Sequence, residues 1–484
     1  MTRVLRLFSD VREGESASAL LLTLDVFLIL TAYYFVKPAR EALILAGGGA
    51  EVKSYAAAGQ ALLLAGAVPL YGLLAARLPR RRLINAVTWF FAGCLGLFYF
   101  LARAGVPLGV AFYLWVGVFN LMIVAQFWSF ANDLYTKDEG ERLFPIIAFG
   151  ASSGAVLGSF LAGRLIGRFG VLELLLAAAL FLLLSLFLTN AVDARERRRT
   201  ESGLDPALTT AALPAASTEV RLDSGQLRKL REAYDEVLRS GARPREEGRG
   251  DPEPVLAPEA RGSAAGAFRL VFRHRYLLLI ALLMLLLNWV NTTGEYILAR
   301  VVSGAARDAV AAGTAGGLDE GAWIGVFYSN FFSVVNGLGL FVQLFLVSRI
   351  LKYAGVRLAL LALPLIALGG YLLLAFVPVL GIVRWAKTAE NATDYSLQNT
   401  VRNVLFLPLT RQEKYTAKQA TDAFFVRAGD VLSAGTVFAG TTWLGLRTAG
   451  FALVNLALVG VWIVLAIAIG RRYVRLVAGR APAA

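Results

Sequence analysis

Runs of eighteen or more almost wholly apolar residues recur from one end of this 484-residue chain to the other. A helix of about 20 such residues crosses the roughly 30 Å hydrocarbon layer of a bilayer. Inside that layer every backbone amide has to be satisfied within the protein, which leaves helices or closed barrels. The length of the runs selects helices, so the chain reads as a polytopic, all-α membrane protein. Composition agrees, since 57% of residues are hydrophobic and 17% charged, against about 25% charged in an ordinary soluble domain. The first apolar run is too long for a signal-peptide core, and KPAR follows it where a small-residue cleavage site would stand.

Taken in order, spans are expected at about 18–36, 55–76, 83–101, 108–130, 143–161 and 171–188. A charged, Pro- and Gly-rich insertion follows, and spans resume at about 276–299, 322–347, 358–376, 379–401, 419–440 and 444–469. The polar, glycine-rich stretch 41–54 reads as a loop. The expected plan is a six-helix bundle over 1–190, a cytoplasmic linker over 191–275, and a second six-helix bundle over 276–484. The linker reads as partly disordered, with a short amphipathic helix at 220–240. Two six-helix halves around a long central loop is the plan of a major-facilitator-like carrier. The halves echo each other: YYFVKPAR closes span 1 and GEYILAR closes span 7, while GASSGAVLGSFLAG and VRAGDVLSAGTVFAG bring small residues into spans 5 and 11. Small residues at that spacing suit helices that slide against one another, or plain close packing.

The formal net charge of +14 would suit nucleic-acid binding in a soluble protein. Here the bases fall in alternate loops, as the positive-inside rule requires. That bias puts both termini and the central insertion in the cytoplasm, with the bacterial inner membrane as the expected location and no nucleic-acid partner. One cysteine, Cys94, and one histidine, His274, exclude an intrachain disulfide and a clustered soft-metal site. No GxxxxGK[ST] loop, HExxH motif or nucleophile–base pair stands out. The chain is therefore expected to be neither an enzyme nor a cofactor protein.

Ionisable residues within spans face a cavity, find a partner or do chemistry. Lys37 and Arg40 close span 1, where snorkelling to the head groups is the alternative to facing a central cavity. Span 7 reads NWVNTTGEYILAR, with Asn291 just before Glu295. Glu295 is expected either to meet Lys37 across the cavity or to sit near the outer head groups. In span 10, Lys387, Asn391, Asp394 and Gln398 fall at i, i+4, i+7 and i+11, one face of a helix, which reads as the wall of a wet path or as helical neighbours pairing privately. Together Lys37, Arg40, Arg384, Lys387, Arg402, Lys418 and Arg427 would offer an excess of cations, suited to an anionic small molecule carrying phosphate.

Three segments resemble the nucleotide-translocase family, the ATP/ADP exchangers of plastids and intracellular bacteria with relatives in free-living bacteria. They are YYFVKPAREAL, FWSFANDLYTKDEGERLFP and DYSLQNTVRNVLFLPLTRQEKYTAKQATDAFFVRAGD. The resemblance implies a major-facilitator-like fold and exchange of ATP for ADP or other nucleotides, with a proton as coupling ion in importing members. It matches Lys37, Glu295 and Lys418 to the family's lysine in span 1, glutamate in span 7 and lysine before span 11. Two positions depart from it: Val116 stands where the family carries a carboxylate in span 4, and RNVLFLPL, with Arg402 and Asn403, replaces KEMAYIPL. The expected function is a secondary transporter of an anionic phosphorylated metabolite, nucleotide exchange being its most specific form. The competing expectation is a non-transporting or lipid-handling scaffold that keeps the carrier fold.

Overall fold

The computed structural model describes residues 15–203, 264–410, 414, 418 and 421–478, and every regular element among them is helical. The first half holds α1 (Glu15–Arg77), α2 (Arg80–Arg103), α3 (Gly109–Leu134), α4 (Lys137–Phe169) and α5 (Glu173–Gly203). The second half opens with the short α6 (Ala264–Arg273), then α7 (Arg275–Ala311), α8 (Glu320–Phe345), α9 (Val347–Tyr353) and α10 (Gly355–Phe376). It continues with α11 (Leu380–Thr393), a π-helical turn (Asp394–Gln398) and α12 (Asn399–Leu405). Next come a π turn (Thr421–Phe425), α13 (Val426–Phe438), a third π turn (Ala439–Trp443) and α14 (Thr448–Ala478).

Contacts group the described residues up to Asp193 with those from Ala264 onward as one compact unit. The linker helix expected at 220–240 lies outside the described residues. The end of the linker is helical: α6 buries Val271 and sets Phe268 edge-on to Phe424 at 4.8 Å.

The chain is a multi-pass membrane protein. Leu62, Phe100, Phe187 and Val464 are between 67% and 72% exposed, an outward apolar surface that belongs in lipid rather than water. Among the described residues, nine helices rather than twelve are long and apolar enough to cross a membrane by length and composition. Two reasons account for the difference. The stretches read as spans 10 and 11 are broken by π turns and carry several charges. The stretch read as spans 1 and 2 is continuous in α1, whose only break is Gly49 at φ 77 and ψ −176, a conformation open to glycine alone.

That break corrects the loop expected at 41–54, because the helix runs on through Arg40 and Glu41 to the bend. Lys37 and Gln60, about 35 Å apart along a straight helix, line one cavity, so the two arms fold back on each other at Gly49. Lys37 thus stands about 18 Å of helix from the bend, roughly half the thickness of the hydrocarbon layer.

Two apolar cores form, and the second also takes in Tyr34, Ile44 and Tyr113 of the first half. Val26, Phe35, Phe91, Phe119, Ile147 and Leu182 build the first, and Ile280, Phe331, Leu360, Val383, Val437 and Trp462 build the second. Val116 is fully buried in the first core. Gly154 and Gly158 lie against α1 of their own half, where an added Cβ would stand 2.5 Å from the Phe27 carbonyl oxygen and 2.8 Å from the Thr31 Cα. Gly429 repeats the arrangement against α7, with a Cβ 2.7 Å from the Leu285 carbonyl oxygen. Gly163 instead faces Ser329 of the other half.

Gly154→Val and Gly429→Val should each destabilise the protein by about 1–3 kcal/mol or more, since backbone rather than a movable side chain blocks the new atoms. Gly167→Ala, whose Cβ meets nothing within 4 Å, should melt like the parent. Thermal unfolding of the purified protein in detergent reads the difference.

Candidate functional site

Tyr33 and Tyr34 precede Lys37 by one turn of α1, so their rings lie on the same face as its side chain. Lys37 Nζ is 6.0 Å from the Tyr33 ring centre and 5.3 Å from that of Tyr34. The other half completes the cage, with Phe332 of α8 at 3.9 Å and Tyr395 of the π turn at 5.9 Å. Ring faces attract a cation at these distances. Among the described residues no carboxylate lies within 4.0 Å of this ammonium. The Lys37–Glu295 pair expected from the sequence is therefore replaced by an aromatic cage.

Glu295 is held by other partners. It lies 3.7 Å from Lys387 and 4.0 Å from Lys53, and accepts a hydrogen bond from Asn391 Nδ2 at 3.0 Å. Lys53 in turn lies 2.6 Å from Glu41, which also accepts from Arg40 Nε at 3.1 Å. On the far side, Lys387 donates to Asn291 Oδ1 at 2.9 Å and pairs with Glu390 at 3.1 Å. Glu390 accepts from the Tyr371 hydroxyl at 3.0 Å. Charges of alternating sign thus run from Arg40 in the first half to Glu390 in the second. Each buried charge is tolerable because its neighbour offsets the cost of leaving water.

Arg40, Glu41, Lys53 and Glu295 of this series form part of the wall of a cavity of about 180 Å³ between the halves. Lys37, Arg40, Glu41, Lys53, Tyr113, Asn291, Glu295, Phe332, Tyr395, Arg427 and Asp430 are among its lining. Arg427 pairs with Asp430 at 3.4 Å, and Asp430 accepts from Asn288 and Thr292 at 2.7 and 2.8 Å. Lining cations Lys37, Arg40, Lys53 and Arg427 face lining acids Glu41, Glu295 and Asp430. The surplus is one positive charge, far less than the sequence suggested.

Of the candidate residues, Lys37, Arg40, Asn291, Glu295 and Arg427 come together on the cavity wall, with Lys387 and Asn391 directly behind Glu295. Asp394, Arg402 and Lys418 do not join them. Asp394 lies 3.8 Å from Arg402, and Lys418 donates to Asn403 at 2.8 Å on the exposed surface. Arg384 is also elsewhere, over the rings of Trp385 and Phe327. The expected polar stripe breaks because the π turn inserts a residue after Thr393. Its wider turn changes the register of the residues after Asp394, and Tyr395 of that turn lines the cavity. Glu41 and Lys53, which fall in the stretch that reads as a loop, are site residues that the sequence does not point to. The available signal was an acid and a base flanking AGGGA in an otherwise apolar stretch. Part of the FANDLYTKDEGER motif is local: Thr136 and Glu139 form a reciprocal cap on α4.

No protein-family model matches the chain, and no curated protein does. Solved structures do match. The nucleoside transporter NupG is 12% identical, with 94% of this chain and 99% of that one covered at a TM-score of 0.59. The chain has a major-facilitator-like fold. A peptide transporter, POT, in complex with sulfate is 13% identical over 98% of this chain and 99% of its own, at 0.56. A bacterial homologue of the human lysosomal transporter Spinster, inward-facing and unoccupied, is 14% identical over 98% and 100%, at 0.53. At such identities the likeness is one of fold. The narrower likeness to nucleotide translocases rests on the sequence motifs alone.

Lys53 is 7% exposed and Glu41 1%, so removing one partner leaves the other charged and buried. Lys53→Met should cost about 3–5 kcal/mol of stability, and Glu41→Gln with Lys53→Met distinctly less. A double-mutant cycle by thermal unfolding measures both.

Proposed function

We propose that this chain is a secondary transporter that moves an anionic, phosphorylated small molecule across the bacterial inner membrane by alternating access. Exchange of one nucleotide for another is the most specific form of the reading. The observation that carries it is Lys37, a cation on the wall of the cavity between the halves with rings from both halves around it and no carboxylate partner among the described residues. A phosphate oxygen arriving there gains a charge-assisted hydrogen bond without first breaking an ion pair. Tyr33, Tyr34, Phe332 and Tyr395 supply flat apolar faces beside it for a ring.

The contacts that join the halves support the alternating part of the reading. Tyr296 donates to Glu51 at 2.8 Å, Tyr55 and Phe438 meet at 6.4 Å, and Gly163 faces Ser329. All lie from mid-depth toward the end marked by Gly49 and Gly170, so substrate would enter from the end where α1 begins and α14 stops. That end is cytoplasmic if the alternating bases are read by the positive-inside rule. The solved transporters of nucleosides, and of peptides with sulfate bound, support a small-molecule cargo. Asp394, Arg402 and Lys418 then act at the entrance rather than at the binding point. A proton is the coupling ion in the importing version.

Purified protein in liposomes should take up labelled nucleotide and exchange it against unlabelled nucleotide inside. Lys37→Ala should lower that uptake by about 10- to 100-fold, the worth of one hydrogen bond to a charged group, while melting within a few degrees of the parent. A folded wild-type protein that moves no nucleotide, nucleotide sugar or phosphorylated metabolite would sink the reading and leave the scaffold.

A further inference from the structure

The two oxygens of Glu295 look to different halves of the molecule. Oε1 faces its own half, 3.7 Å from Lys387 Nζ and accepting a hydrogen bond from Asn391 Nδ2 at 3.0 Å. Oε2 faces Lys53 of the first half at 4.0 Å, a distance at which the attraction is electrostatic and no hydrogen bond forms. Lys387 is itself shared, since Glu390 Oε1 stands closer to it, at 3.1 Å. Two carboxylates of the second half thus divide one lysine between them, and a lysine of the first half makes up the difference.

The other groups around Glu295 supply no further charge from its own half. Tyr328 of α8, Tyr371 of α10 and Tyr395 of the π turn face it with phenols, and Tyr371 donates to Glu390. Across the cavity Arg427 of α13 is paired with Asp430. From α1, Lys37 and Glu41 face Glu295 with opposite charges, and both belong to the first half. Glu295, Lys387 and Glu390 therefore carry one net negative charge, which the first half balances through Lys53.

We propose that Glu295 is a proton-binding site for which Lys53 competes: Oε2 takes a proton when the first half withdraws Lys53, and loses it when Lys53 returns. A carboxylate in a membrane bundle that loses its counter-charge is neutralised most readily in this way. The proton comes from cavity water, forms an O–H bond at Oε2 and goes back to water on release. Glu295 reaches that water, since its side chain is 24% exposed and lines the cavity, whereas that of Glu390 is 6% exposed and does not. Glu390 is the positioning residue, because it holds Lys387 and so leaves Glu295 dependent on Lys53. The purpose of the site rests on the carrier reading. Lys53 and Glu295 part when the halves separate at the Gly49 end, so a proton taken up there would be released at the other end.

The test uses no cargo, so a chain that moves no nucleotide would leave the proton site standing. Glu41→Gln with Lys53→Met removes the competing lysine together with the acid that it neutralises. Thermal unfolding of that variant and of the parent, purified as full chains in detergent, is compared from pH 8 to pH 5. The unfolded chain keeps its carboxylates ionised over most of this range, so a proton held by the folded state alone stabilises the variant as pH falls. The gap between variant and parent should narrow by up to tenfold in the folding equilibrium per pH unit, the response of one proton. Adding Glu390→Gln leaves Lys387 to Glu295 alone and should make the gap independent of pH. Glu295→Gln in its place should do the same, and carries the comparison should the first triple variant fail to fold. A gap of constant size in the double variant, or a pH-dependent gap that survives Glu390→Gln and Glu295→Gln alike, would overturn the assignment.

Discussion

Lys53 stands between two carboxylates, 2.6 Å from Glu41 and 4.0 Å from Glu295, and so ties the first half of the molecule to the second. Neither half could bury its own charges alone at acceptable cost. Glu41 without Lys53 would be an isolated carboxylate in hydrocarbon, and Glu295 would keep only Lys387 and Asn391. The interface between the halves is therefore polar at its centre and apolar at its margin, where Gly163 and Gly325 let α4 and α8 approach.

Two lysines one helix-arm apart illustrate how environment sets role. Lys53 has its attraction satisfied by carboxylates on both sides. Lys37 is surrounded by rings, whose quadrupoles stabilise a cation without neutralising it. The first is structural by that criterion, and the second keeps its charge available. Nothing in the residue type separates them; their partners do.

The class of fold was legible in the sequence because hydrophobic run length acts through a simple length match with the bilayer. The charged residues that meet across the halves were legible as types but not as pairs. Glu295 and Lys37 both come to the central cavity, yet the partner of Glu295 is Lys387, one face of α11 away. The run from Lys387 through Gln398 reads as a single stripe only while the helix keeps 3.6 residues per turn, and a π turn has no clear signature in residue order. The missed pair, Glu41 and Lys53, was hidden by glycine. Three glycines in a row suggest a loop, whereas only Gly49 departs from helical geometry.

That single-residue hinge has a mechanical consequence. A long connection between two helices can fold over an opening as a flap, independent of the rods it joins. The arms of α1 have no such slack, since one backbone torsion separates them. Sealing or unsealing this corner of the molecule has to come from tilting the arms themselves. Because Lys37 rides on one arm and Lys53 on the other, such a tilt moves both charges with it.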